Sequence, residues 1–79
     1  MDNEQKLRSI ISTILRIPEE QVTDKLASDN VETWDSLNHI NLIGSLEQEF
    51  GVTLPTENLG DFMSVAQLKV LLGRHGIAF

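Results

Sequence analysis

Asp35, Ser36 and His39 fall within five residues of one another in the stretch VETWDSLNHI, residues 31–40. A serine, a histidine and an aspartate are the parts of a hydrolytic triad, in which histidine takes the serine proton and a carboxylate orients the ring. That chemistry also needs a buried histidine, a separate orienting carboxylate and an oxyanion hole. One exposed helical turn in a chain of 79 residues offers no such pocket, so a small hydrolase is set aside. Two readings remain. Asp35 is a good N-cap, because its carboxylate can accept the free amides of a first helical turn. Ser36 then takes the first helical position, its hydroxyl unspent by capping and facing solvent. The amides there favour an attached anion such as a phosphate ester. Ser36 is either a plain helix start or the point where a phosphate-linked group is carried, and these residues alone leave both open.

The elements that position Ser36 follow from apolar spacing. Leu7, Ile10, Ile11, Ile14 and Leu15 recur at three- and four-residue steps, which predicts a helix over 3–16. Pro18 closes it after Ile17, since the residue before a proline leaves the helical region. Residues 18–34 form a long connection, which Val22, Leu26 and Val31 are expected to pin to the core. A second helix should run from about 36 to 50 and end on Gly51 as its C-cap. Residues 52–55, VTLP, read as an extended stop, and 56–62 as one or two irregular helical turns around Leu59 and Phe62. Ser64 with Gln67 three residues on reads as a capping box. It opens a last helix carrying Val65, Leu68, Leu71 and Leu72, with Gly73 or Gly76 at its end. No segment alternates as a strand. The expected fold is all-α, one small four-helix bundle of three main helices and one short irregular helix, with residues 1–79 as a single domain.

On a wheel of about 100° per residue, Leu42, Ile43, Leu46 and Phe50 share one face of the second helix, with His39 at its start. That face is core, and His39 is expected to be a packed or half-exposed histidine rather than a catalyst. Leu37 falls almost opposite, and Ile40 and Gly44 also lie away from the core centre. Together they form a second apolar patch beside Ser36, bordered by Asn41, Glu47 and Gln48. Single exposed leucines are normal. Two apolar residues beside a serine and rimmed by polar and acidic side chains look more like a docking surface. Trp34 is expected to staple the helix start by packing near His39.

Charge narrows the partners. Residues 17–61 hold ten acids against Lys25 alone, whereas the two ends are weakly basic, for a net −6. Nucleic acid would call for the opposite sign, so the favoured partner is a protein with a basic surface. The plain alternative is that the acids keep a small domain soluble. No apolar run approaches the ~20 residues of a membrane span, and nothing resembles a signal peptide, so a cytoplasmic monomer is the expectation. There is no cysteine, hence no disulfide, thiolate zinc site or cysteine nucleophile. The acids of residues 19–32 lack calcium-loop spacing, and no metal is expected. His75 suits the C-terminal end of a helix and nothing more.

The order of these features resembles the acyl carrier protein family. The resemblance rests on DSL at a helix start, on TWDSLNHINLIGSLEQEFGVTLP, and on SVAQLKVLL after it, and it covers nearly the whole chain. It implies a non-enzymatic carrier whose motif serine receives 4′-phosphopantetheine from coenzyme A and holds acyl or aminoacyl groups as thioesters. Carried over, that serine is Ser36, flanked by Asp35 and Leu37 in the cofactor-binding motif. Leu37, Ile40, Asn41, Gly44, Glu47 and Gln48 become the partner-docking face. The implied partners are a phosphopantetheinyl transferase, an acyl- or aminoacyl-loading enzyme and a downstream synthase or transferase. Carriers of housekeeping fatty-acid synthesis usually have a small residue before the aspartate and more acids after the leucine. Here stand Trp34, then Asn38, His39 and Asn41, with Gly44 where a larger apolar residue is common. These departures point to a freestanding carrier of a dedicated polyketide-like, aminoacyl or specialised-lipid pathway. The competing reading is an unmodified helical adaptor that keeps the fold and the acidic face.

Overall fold

The first helix, α1 (Asn3–Leu15), starts where Asp2 accepts the Gln5 N–H on its carboxylate at 2.7 Å. Its stripe of Leu7, Ile11 and Leu15 is fully buried, and Ile10 and Ile14 pack at the margin. The computed structural model to which this helix belongs describes residues 2–54 and 63–79. α1 stops at Leu15, one residue short of the predicted end and well before Pro18. Arg16 turns into the left-handed region (φ 59°), and the N–H groups of Arg16 and Ile17 both return to the Ser12 carbonyl. The Ser12 hydroxyl donates to the Ile17 carbonyl, which closes the turn. Ile17 must be extended ahead of proline, so the chain leaves the helix early even though arginine is strained at positive φ.

Two short 3₁₀ turns, Glu19–Gln21 and Ser28–Asn30, break up the connection to the next helix. Val22 and Leu26 are buried and Val31 partly so, as expected of a loop pinned by its apolar residues. Its second half is tied to the segment before the last helix. Ser28 N–H donates to Met63 O and Val65 N–H to Leu26 O, both at 2.9 Å, around one isolated antiparallel bridge between Ala27 and Ser64. Among the described residues there is no other extended pairing.

The second helix, α2 (Ser36–Phe50), matches its predicted bounds. Asp35 caps it, and Gly51 at φ 65° ends it with its N–H on Glu47 O. His39, Leu42, Ile43 and Leu46 are buried, with Phe50 against the same core. The third helix, α3 (Val65–Arg74), begins at Ser64, whose hydroxyl accepts the Gln67 N–H at 3.1 Å and faces Gln67 Oε1 at 3.2 Å. It buries Val65, Leu68, Leu71 and Leu72. Of the two candidate stop glycines, Gly73 lies inside the helix, and Gly76 (φ 89°) makes the turn after it. The expected irregular helix at 56–62, with Leu59 and Phe62, lies outside the described residues. What is described is all-α: three helices and 3₁₀ turns around one aliphatic core that also takes in Trp34 and Leu54.

α1 and α2 run antiparallel. Lys6 near the start of α1 donates to Glu49 O near the end of α2 at 3.2 Å, and its ammonium lies 5.3 Å from the Phe50 ring centre. At the other end, Thr13 to Arg16 border the same hollow as Thr33, Asn38 and Asn41. Ser36 therefore stands at the end of the molecule where α1 finishes. No described helix is long and apolar enough to cross a membrane.

Candidate functional site

Asp35 is in extended conformation and its Oδ1 accepts the Asn38 N–H at 2.9 Å. The cap is thus supplied by the aspartate. Ser36 stands next in line as the first residue of α2, exposed, with no capping task. The partial positive charge of a helix start and its first amides favour an anion at that position. A phosphate ester on this exposed hydroxyl would meet solvent and the start of α2, so the residues present fit such a group.

Around Ser36 the predicted outward face is largely where the wheel put it. Leu37 is 67% exposed and Ile40 51%, both unusually open for aliphatic side chains on an otherwise well-packed helix. Asn41, Gly44 and Gln48 are exposed beside them. An alanine methyl placed on Gly44 would meet nothing within 4 Å, so no internal close approach demands a glycine there. Glu47 differs from its expected part as a free rim acid. It is half-buried, and its Oε2 accepts the Leu54 N–H at 2.9 Å, fixing the chain after Gly51. A carboxylate is the natural partner for that amide because the extended stop has left it without a helical acceptor. The wheel could not show this, since the bond crosses the turn.

Beneath the exposed turn lies a buried one. Trp34 and His39 are 2% and 1% exposed, and the indole Nε1–H donates to His39 Nδ1 at 3.0 Å. Trp34 does staple the helix start, through a specific hydrogen bond as well as packing, with ring centres 6.1 Å apart. An Nδ1 that accepts is unprotonated, so neutral His39 carries its proton on Nε2. One ring nitrogen is committed to Trp34 and the ring is inside, whereas Ser36 is outside. The parts of a triad are present without its geometry. The Asn38 side chain adds a second tie that sequence reading missed, donating to Thr33 O at 2.7 Å.

The acidic field is also partly spent. Lys69 of α3 holds Glu4 of α1 at 2.6 Å and Asp24 of the loop at 2.7 Å, with Glu4 also 3.3 Å from Arg8. The hydrogen bond and charge of Lys69 pull both carboxyls below their usual range, and the two acids hold the Lys69 ammonium above its own. No periodicity reveals this cluster, because its members come from three separate segments. Among the described residues no group of three or more potential ligands could hold a metal ion.

Residues 5–72 match the family described as a phosphopantetheine attachment site. The chain belongs to that family. Its members are carriers with covalently attached 4′-phosphopantetheine, and they act together with phosphopantetheinyl transferases and biosynthetic enzymes. The carrier domain here has the small all-α fold that such a family implies, with the matched stretch running from the first turn of α1 to the last apolar residue of α3.

Proposed function

We propose that Ser36 is the residue that takes the arm, and that the chain is an acyl or aminoacyl carrier without catalytic activity of its own. The observation that carries this is the division of labour at the start of α2. Asp35 closes the cap, and the neighbouring hydroxyl of Ser36 is left exposed in the first turn. In the transfer, Ser36 Oγ bonds to the phosphorus that bears pantetheine, and the P–O bond of the coenzyme A pyrophosphate breaks. Adenosine 3′,5′-bisphosphate leaves, and the serine proton passes to a base of the transferase. Once bound, the group supplies a thiol that holds acyl or aminoacyl cargo as a thioester.

Leu37 and Ile40 then form the apolar centre of the surface a transferase or loading enzyme must cover, with Asn41, Gly44 and Gln48 around them. Basic partners suit the acids of the middle segment. Residues 1–79 act as one cytoplasmic carrier domain. Trp34, Asn38, His39, Asn41 and Gly44 support a dedicated polyketide-like, aminoacyl or specialised-lipid pathway, since they depart from the housekeeping pattern.

Intact mass tests the reading. Coenzyme A and a broad-specificity phosphopantetheinyl transferase should add one phosphopantetheinyl group to the wild-type chain. Ser36→Ala should add none while keeping its helical circular dichroism. A wild-type mass unchanged across several transferases would leave an adaptor that docks partners without being modified.

A further inference from the structure

Three hydrogen bonds cross the junction into α2, and Ser36 lies inside the span of each. Trp34 Nε1–H to His39 Nδ1 (3.0 Å) closes residues 34–39 on the buried side. Asn38 Nδ2–H to Thr33 O (2.7 Å) closes 33–38 on the outer side. Asp35 Oδ1 from Asn38 N–H (2.9 Å) is the cap between them. A first helical turn is ordinarily the place where a helix frays, because its amides lack partners within the helix. Here it is tied from inside and from outside, and Ser36, which lies within both ties, is left exposed.

We infer that Trp34, His39 and Asn38 are positioning residues for arm transfer, holding the Ser36 turn in the geometry that a transferase must meet. This rests on Ser36 being the attachment serine. None of the three touches the reacting atoms; they act by removing motion from the backbone that carries the nucleophile. Misplacing a reacting group by about 1 Å can cost on the order of a hundredfold in rate, so a loose first turn would be felt in turnover more than in encounter. The inner tie also sets the histidine's chemistry. His39 serves as an acceptor through Nδ1, a part that an amide oxygen at the same distance along the side chain can play. A hydrocarbon of similar size cannot.

The test is steady-state transfer from coenzyme A by a phosphopantetheinyl transferase, with circular dichroism and melting temperature for each variant. Asn38→Ala cuts the outer tie at a half-buried position and leaves the apolar core intact. Its kcat should fall about three- to tenfold, with KM within about twofold, as loss of one hydrogen bond of ~1 kcal/mol implies. Trp34→Phe and His39→Leu should lower kcat similarly. Their double variant should be no slower than the slower single one, since both remove the same bond. His39→Asn, which places Oδ1 near the position of Nδ1, should recover most of the rate lost in His39→Leu. Variants that melt lower yet turn over at the wild-type rate would overturn the inference and leave Ser36 as the attachment residue. A wild-type chain that accepts no group would overturn both.

Discussion

Leu37 and Leu46 sit nine residues apart on α2 and face opposite ways, the first 67% exposed and the second fully buried. Truncating them should therefore have unlike effects. Leu46→Ala should destabilise by about 2–5 kcal/mol, as buried leucine truncations do. Leu37→Ala should stay within about 0.5 kcal/mol of wild type, yet slow arm addition or loading by removing the apolar centre of the exposed face. Urea midpoints and transfer rates check the two halves separately, and equal destabilisation would contradict the facing described here. At this scale the sequence was legible wherever a residue's part depends on near neighbours. Asp35 as cap and Ser36 as the exposed first residue follow from local rules, as does Trp34 folding back toward His39. Glu47 was not legible, because its bond to the Leu54 amide is set by how the chain turns at Gly51. Charge reversal at Glu47 would thus disturb that turn together with any docking.

Two glycines of α2 make opposite predictions from one element. Gly44 is mid-helix and exposed, with open space where a methyl would go, so Gly44→Ala should raise stability by up to about 1 kcal/mol. Gly51 ends the helix at φ 65°, where an L side chain is strained whatever the space. Gly51→Ala should lower stability by about 1–2 kcal/mol, and thermal melts would show the divergence. The bounds of α2 were readable because cap, period and stop glycine agree over fifteen residues. The end of α1 was less so. Its stop is an arginine in a conformation usually left to glycine, held by Ser12 contacts that no composition rule predicts.

Over the whole molecule, the ten-to-one excess of acids between residues 17 and 61 is a coarse guide that the structure refines. Asp24 is held by Lys69 together with Glu4, so reversing the charge of either acid would break a tie between α3 and the rest of the fold as well as change the field. A cleaner comparison puts the same new charge on two exposed amides. Asn41→Lys, beside Leu37 and Ile40, should slow arm transfer, whereas Gln5→Lys on α1 should do much less. Added salt should narrow the gap, since charges more than about 10 Å apart are largely screened at 0.1 M. Rates blind to both salt and position would assign the acids to solubility. The Lys69 cluster also predicts a pH dependence. Glu4 and Asp24 have lowered pKa values, so what they add to stability is present above the ordinary carboxylate range and is lost as pH falls through their lowered values. Lys69, raised, adds its share below the ordinary lysine range and loses it as pH climbs past its raised value. Lys69→Met should accordingly show a smaller drop in urea midpoint between pH 7 and pH 3 than wild type. Beside this cluster, and far from Ser36, one further feature bears on mechanics. Asn3 Nδ2–H donates to Ala78 O at 2.9 Å, Phe79 meets Phe50 edge to face, and Lys69 lies over the Phe79 ring. Residues 3 and 78 are thus gripped together beside the end of α2, about 20 Å along that helix from Ser36. Tension applied through either position loads this grip and the flanks of α1 and α3 first. The turn that bears Ser36 lies at the opposite end of α2, held by its own ties among Thr33, Trp34, Asp35, Asn38 and His39, so it keeps its shape while the grip takes the load.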